Sequence, residues 1–168
     1  MSRFGRPSEL VLIAVLLLLD QVTKVIVHSR LALGESHDVI PGLLSFTHVQ
    51  NTGAAFGMLN NIDFPYKAAV MVAIAGLALL AIAVYATQLG FEDRLARLGL
   101  SFILGGALGN LIDRAFRGYV VDFVDVYWRG VHFWAFNVAD AAISVGAVLV
   151  ILDMFGLGRK ERHVPHPV

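Results

Sequence analysis

The sequence has 168 residues, of which 57% are hydrophobic and only 15% are charged, and its mean hydropathy is +0.71. A soluble domain carries about 25% charged residues, and a chain this short has too little interior to bury so much apolar surface, so we expect that surface to face lipid. The 13 basic and 13 acidic residues leave no net charge, which argues against a nucleic-acid partner, and the lack of cysteine excludes disulfides and cysteine-based metal or redox sites.

Apolar segments along the chain predict an all-α polytopic membrane protein with a four-transmembrane-helix bundle. The predicted helices lie at about 9–27, 67–88, 96–114 and 136–155. Each is close to the ~20 helical residues that cross a bilayer. The first segment also has features of a cleavable signal peptide, because Arg3 and Arg6 precede it, but no small-x-small cleavage site follows. We expect a single membrane domain over residues 1–168.

The connections between the helices differ in character. Residues 28–66 form a long connection in which residues 44–50 are β-prone and roughly alternating in polarity. We expect a small extracytoplasmic β-cradle there, lying on the outer membrane surface. Residues 116–136 form a second, shorter outer connection that is rich in aromatic side chains. Such rings settle at the membrane–water boundary.

The basic residues predict the orientation. They precede the first span, join the second to the third, and follow the fourth, and with four spans these places share one side of the membrane. The residues concerned are Arg3, Arg6, Arg94, Arg97, Arg159, Lys160 and Arg162. The positive-inside rule makes that side cytoplasmic, so we expect both termini in the cytoplasm.

Polar side chains from distant parts of the chain fall at the outer ends of the predicted helices or in the outer connections. They are Asp20, Lys24, Asn51, Asn110, Asp113, Arg114, Asp122, Asn137 and Asp140. Ionisable residues at membrane depth are expensive and face the bundle interior or a wet cavity, so they are candidates for a functional site.

Two pairs within this set have structural alternatives. Asp20 and Lys24 are four residues apart on one helical face and can pair in the site, or they can form an interfacial ion pair with the lysine snorkelling outward. For Asp113 and Arg114 we favour a helix-end capping network over direct catalysis. Elsewhere, Asp125 is interpreted as a solvated charge and His132 as structural, because no metal-ligand spacing surrounds it.

Asp122 and Asp140 have no cation close by in sequence. Two carboxylates brought together in a partly desolvated site share one proton. One member can then deprotonate a water while the protonated member polarises a carbonyl, as in aspartic proteases. The alternatives are a solvated loop aspartate at 122 and a helix N-cap at 140.

Five motifs, in order, together resemble the lipoprotein signal peptidase (signal peptidase II) family. They are DQVTK at 20–24, NTGAAF at 51–56, GGALGNLIDR at 105–114, VVDF at 120–123 and FNVAD at 136–140. Each alone is weak, but the ordered set is specific. One departure is Trp134, where the family commonly has proline.

The resemblance implies a bacterial inner-membrane endopeptidase that removes signal peptides from prolipoproteins by cutting before a diacylglyceryl-modified cysteine. It makes Asp122 and Asp140 the catalytic dyad, near the periplasmic face. It also implies residues that shape the site or hold substrate, namely Asp20, Lys24, Asn51, Gly53, Asn110, Arg114 and Asn137. The partners would be the prolipoprotein and membrane lipid, the enzyme would act as a monomer, and no metal or organic cofactor is implied.

Two other functions compete with this interpretation. A proton pathway could use the carboxylates as a relay, although it predicts carboxylates spread through the membrane depth. A scaffold could bind a partner through the outer β segment, although it gives no reason for the convergent carboxylates.

Overall fold

The computed structural model describes residues 5–53, 62, 64–90 and 92–157, and within them the chain forms four helices and four strands. The helices are α1 (Pro7–Arg30), α2 (Lys67–Ala86), α3 (Arg94–Arg117) and α4 (Val138–Met154). The strands are β1 (Ser36–Ile40), β2 (Leu44–Asn51), β3 (Val120–Trp128) and β4 (Val131–His132). Each helix begins and ends within three residues of its expected bounds. Outside the described residues lie Arg3, Arg159, Lys160, Arg162 and the second half of the NTGAAF motif, residues 54–56.

Local signals explain where α1 and α4 begin. Pro7 opens α1, where its fixed φ suits the helix and its missing N–H is not needed. The carboxylate of Glu9 accepts from the backbone N–H groups of Gly5 and Arg6 at 2.7 and 3.0 Å. Asn137 caps α4, because its side chain accepts from the N–H of Asp140 at 2.9 Å. Both helix starts are therefore closed by side chains of the first turn.

Helix α3 lies at the centre and packs against α1, α2 and α4. Its glycines let α4 approach closely. A methyl group added at Gly99 would lie 2.6 Å from the carbonyl oxygen of Gly146, and one at Gly106 would collide with the carbonyl oxygen of Ala139. Small residues allow this close contact between membrane helices. The earlier glycine of α3 meets the later part of α4, and the later glycine meets the start of α4, so the two helices are antiparallel.

Among the described residues, α1, α2 and α3 are long and apolar enough to cross a membrane. Large apolar side chains along them stay exposed, such as Leu18 and Leu77. The expected helical membrane fold is therefore confirmed, with three candidate spans. Helix α4 has 17 residues, and at about 1.5 Å per residue it is about 26 Å long, slightly short of a hydrocarbon core of about 30 Å. The fourth expected span is not among those that length and composition identify.

The strands form one antiparallel sheet in the order β1-β2-β3-β4. The β segment expected within residues 28–66 is present as β1 and β2, and the sheet extends beyond it, because β3 and β4 come from the connection between α3 and α4. The start of β3 is buried on both faces, from Val120 to Phe123. A strand buried on both faces shows no alternation of polarity, so the polarity pattern of these residues does not predict a strand.

Candidate active site

Asp122 lies in β3, beside the end of β2. The sheet register pairs Val49 with Asp122 and Asn51 with Val120. Asn51 Nδ2 donates to Asp122 Oδ2 at 3.0 Å, and Asn137 Nδ2 donates to Asp122 Oδ1 at 2.6 Å. The side chain is almost completely buried, at 2% exposure. The alternative of a solvated loop aspartate at this position is therefore wrong.

Asp140 lies in the first turn of α4 and belongs to its capping box. Its Oδ2 accepts from the backbone N–H of Asn137 at 3.3 Å, so Asn137 is the N-cap and Asp140 completes the box from the third helical position. Its Oδ1 accepts from Asn110 Nδ2 at 2.8 Å. The cap therefore orients the Asp140 carboxylate and leaves its other oxygen bound to α3.

Two asparagines connect the two carboxylates. Asn137 Nδ2, which donates to Asp122, also lies 3.2 Å from Asn110 Oδ1, and Asn110 Nδ2 donates to Asp140. A continuous chain of side chains thus runs from Asp122 through Asn137 and Asn110 to Asp140. Networks of this kind hold their members rigidly when every group has a partner.

The environment of Asp122 favours its neutral form. Burial is the main cause that raises the pKa of Asp122 to about 7, and the nearby Asp140 carboxylate raises it further. The hydrogen bonds from Asn51 and Asn137 oppose this rise, because they stabilise the ionised form. A carboxyl with a pKa near neutrality is suited to proton transfer at physiological pH.

A buried ion-pair network lies next to the carboxylate chain. Lys24 Nζ is 2.8 Å from Asp20, 2.9 Å from Asp113 and 2.9 Å from Asn110 Oδ1. Lys24 and both aspartates have no exposed side-chain surface. The alternative in which Lys24 snorkels outward is therefore wrong. Lys24 Nζ and Asn137 Nδ2 therefore contact the same oxygen atom, Oδ1 of Asn110.

Asp20 and Asp113 also hold the backbone of α4 and β3 in place. Asp20 Oδ1 accepts from the N–H of Ala139 in the first turn of α4 at 3.0 Å. Asp113 Oδ2 lies 3.4 Å from the N–H of Val121 in β3. The two carboxylates thereby tie the start of α4 and the start of β3 to the bundle, and these are the segments that carry Asp140 and Asp122.

Arg114 donates to two backbone carbonyl groups. Its Nη2 donates to the carbonyl oxygen of Gly53 at 2.9 Å, and its Nη1 donates to the carbonyl oxygen of Asn110 at 3.3 Å. The N–H of Gly53 donates to Asn51 Oδ1 at 2.9 Å. Gly53 is therefore held from both sides at the edge of the site. Asp113 and Arg114 both make contacts at the end of α3, as a helix-end network requires, but with different partners.

Sequence reasoning did not assign two further residues, Gln21 and Arg117, to the site. Gln21 Nε2 donates to Asp20 Oδ2 and to the carbonyl oxygen of Gly109, at 3.1 and 3.2 Å, and Arg117 pairs with Asp113. Gln21 lies within the DQVTK motif, but its position near a helix end does not predict these two contacts. Only the spacing of Arg117, four residues after Asp113, could have suggested its pairing.

Asp125 is buried, which corrects its interpretation as a solvated charge. Its Oδ2 lies 2.7 Å from His132 Nδ1, across the strand pair β3–β4. Within the described residues, no group of three or more His, Cys, Asp or Glu side chains is arranged to hold a metal ion.

Comparisons with known proteins identify relatives of this chain. A family model described as signal peptidase (SPase) II matches residues 12–156. A lipoprotein signal peptidase of Geobacter metallireducens is 47% identical over 148 residues, covering 88% of this chain and 90% of that protein. One from Pseudomonas fluorescens is 41% identical over 155 residues, covering 92% and 91%.

A solved structure described as a bacterial membrane enzyme superposes with a TM-score of 0.81 at 29% identity, covering 99% of this chain and 97% of that one. The fold and the sequence thus point to the same family, and the resemblance carried by the motifs is confirmed. The chain belongs to the signal peptidase II family.

Proposed function

We propose that this protein is an intramembrane aspartic endopeptidase that removes signal peptides from diacylglyceryl-modified prolipoproteins by cutting before the lipidated cysteine. Membership of the signal peptidase II family supports peptidase activity on prolipoproteins. The aspartic mechanism and the cleavage position go beyond family membership and rest on the geometry of the site and on the motifs.

The observation that carries the mechanism is the pair of carboxylates joined through Asn137 and Asn110. Asp122 is almost completely buried and Asp140 is half-buried, and burial raises the pKa of Asp122 to about 7. We assign one aspartate as the base that deprotonates the attacking water. The other, protonated, polarises the scissile carbonyl and then protonates the leaving amine.

The residues around the dyad position the substrate and the two aspartates. The segment from Asn51 to Gly53 ends β2 beside Asp122 and is anchored by Arg114. We assign this segment to holding the extended peptide on either side of the scissile bond, where accurate placement strongly affects rate. Lys24, Asp20 and Asn137 then act indirectly, by fixing the segments that carry the two aspartates.

The proposed location rests on the positive-inside rule, which puts the ends of α1 and α3 that carry the site on the outer side of the membrane. We place the chain in the bacterial inner membrane with both termini cytoplasmic and the dyad near the periplasmic face. A lipidated substrate would then reach the site sideways from the bilayer, with its acyl chains remaining among membrane lipid. All the site residues belong to one chain, so a monomer suffices.

The test is cleavage of a diacylglyceryl-modified prolipoprotein by purified protein, comparing wild type with Asp122→Asn and Asp140→Asn. Each substitution removes a group that transfers protons, so we expect at least an about 100-fold loss of rate. Mass spectrometry of the products gives the cleavage position, which we expect just before the lipidated cysteine.

Asp38→Asn is the matched control, because Asp38 is an exposed carboxylate on β1. It should cut at the wild-type rate, and all variants should elute and melt as folded protein. If the folded Asp122→Asn and Asp140→Asn proteins both still cut, the dyad is wrong, and Asp20 and Asp113 become the next candidates.

A further inference from the structure

The contact between Asp125 and His132 has no part in the proposed mechanism, although it lies on the strand that carries Asp122. Asp125 is buried in β3, three residues after Asp122. Its Oδ2 lies 2.7 Å from His132 Nδ1 and 3.4 Å from Ser45 Oγ, and its Oδ1 is buried without a hydrogen-bond partner among the described residues. A buried carboxylate is costly unless it is paired. His132 is therefore the main partner of this carboxylate.

Residues 131–136 form a return strand that runs back along β3 and leads into the cap of α4. The return strand begins with β4, and near its end Phe136 forms a bridge with Val124. Val124 and Phe136 each donate a backbone N–H to the other's carbonyl oxygen, at 2.8 and 3.0 Å. Asn137 follows directly, caps α4 and donates to Asp122. The register of the return strand therefore fixes where Asn137 lies relative to Asp122.

The register changes by one residue along this pairing. Tyr127 pairs with His132, and Val124 pairs with Phe136, so three residues along β3 correspond to four residues along the return strand. The extra residue is a β-bulge, a feature that re-aims side chains and often lies next to active sites. Asp125 lies on β3 between the two pairs. Its contact with His132 therefore holds the return strand in register on one side of the bulge.

Other forces specify this register weakly. Val131, Phe133 and Trp134 are largely exposed, so burial gives little preference for one register over another. The two-residue turn that precedes the return strand has positive φ at both positions, which suits Gly130 but disfavours Arg129. β4 itself has only two residues. A hydrogen bond from the return strand to a buried carboxylate supplies a stronger anchor than these features do.

We propose that the contact between Asp125 and His132 positions the peptidase dyad by holding the return strand in register on β3. This inference rests on the function proposed above. A slip of one residue moves a strand by about 3.3 Å, which exceeds the range of a hydrogen bond. Asn137 would then lose its 2.6 Å contact with Asp122, and Asp140 in the next turn would move with it. The rate would fall, because catalytic groups must be placed accurately.

The test compares wild type with His132→Phe in prolipoprotein cleavage. Phenylalanine keeps a ring to stack on Tyr127, as His132 does at 4.9 Å between centroids, but it cannot donate to Asp125. We expect kcat to fall by about tenfold to 100-fold. KM should change little, because the segment assigned to hold substrate belongs to β2. His132→Asn should recover much of the rate, since its side-chain amide donates from nearly the position of Nδ1.

A double variant separates positioning from stability. His132→Phe leaves the Asp125 carboxylate buried with only the weak contact to Ser45, so it should also lower the unfolding temperature. Asp125→Asn/His132→Phe removes that charge and should recover stability, whereas kcat should stay low because the return strand is still unanchored. Recovery of kcat together with stability would show that the contact only supports the fold, and would overturn the positioning role.

His37→Phe is the matched control, because His37 makes a similar contact with Glu35, at 2.8 Å, on the exposed edge of the sheet. It should cut as wild type does. A folded His132→Phe protein that cuts at the wild-type rate, beside an inactive Asp122→Asn, would overturn the positioning role and leave the dyad intact. If Asp122→Asn still cuts, the proposed function itself fails, and this inference falls with it.

Discussion

The pKa of Asp122 is subject to opposing effects. Burial and the Asp140 carboxylate raise its pKa to about 7, whereas two asparagine amides donate to it and favour ionisation. In the unfolded chain an aspartate has a pKa of about 3.9. Between these values the folded protein holds a proton that the unfolded chain has lost. The stability that Asp122 contributes is therefore fully present below pH 4 and is lost as the pH rises through about 7.

We expect Asp122→Asn to remove this pH dependence. The free energy of unfolding of wild type should fall, relative to the variant, by up to about 1.4 kcal/mol per pH unit between pH 5 and 7, and then level off. Denaturation of both proteins in mixed micelles at pH 5, 6, 7 and 8 measures the difference. Asp38→Asn, at an exposed site, should keep the wild-type slope. Parallel slopes for wild type and Asp122→Asn would show that Asp122 ionises normally.

The site residues show which contacts a sequence reveals. The pairing of Lys24 with Asp20 follows from their spacing, and the structure confirms it. The second pairing of Lys24, with Asp113, joins parts of the chain that no local pattern relates. The same holds for the bridge from Asn137 to Asn110. The motifs indicate which residues belong together, but only the packing of α3 against α1 and α4 shows which atoms meet.

At the scale of elements, predictability follows the environment of each segment. The helices were predictable because long apolar runs have few alternatives in a bilayer. β3 was not, because its buried start lacks alternation and its partner β2 lies in a distant part of the chain. Asp122 was therefore expected in a loop, although it lies in a central strand. The strand fixes its side chain more firmly than a loop would.

The close contact between α3 and α4 depends on glycine. Asn110 lies on the α3 side of this contact and Asp140 on the α4 side. We expect Gly106→Ala to destabilise the protein by about 1–3 kcal/mol, because the new methyl group meets the backbone of Ala139, which cannot turn aside. Peptidase activity should fall with it, since the hydrogen bond from Asn110 to Asp140 spans the same interface. Thermal unfolding and cleavage rates measure both effects.

Gly76→Ala in α2 is the matched control, because the space around Gly76 is open. It should be neutral or slightly stabilising, since alanine favours the helix more than glycine does. If Gly106→Ala is as stable and as active as Gly76→Ala, close packing at this interface does not position the site.

On the scale of the whole molecule, the two ends of the bundle have different chemistry. The outer end contains carboxylates, amides and the sheet, while at the other end Arg6, Arg94 and Arg97 line a cavity between α1 and α3. Helix α4 connects the two ends. Its first turn meets α3 at Gly106, and eleven residues later Val150 lies against Gly99 near the start of α3. Although α4 is only 17 residues long, it runs antiparallel beside a helix that is a candidate span. We therefore propose that α4 crosses the membrane as a fourth span.

Labelling of single cysteines tests this topology, and the chain suits it because it has no cysteine of its own. Ser36→Cys lies on β1, Glu92→Cys lies between α2 and α3, and Leu157→Cys follows α4, all at exposed positions. A membrane-impermeant maleimide should label Ser36→Cys in right-side-out vesicles, and Glu92→Cys and Leu157→Cys only in inverted vesicles. Four spans require residue 157 to share the side of residue 92, because each span reverses the side. If Leu157→Cys instead reacts together with Ser36→Cys, α4 returns to the outer side, and the bundle crosses the membrane only three times.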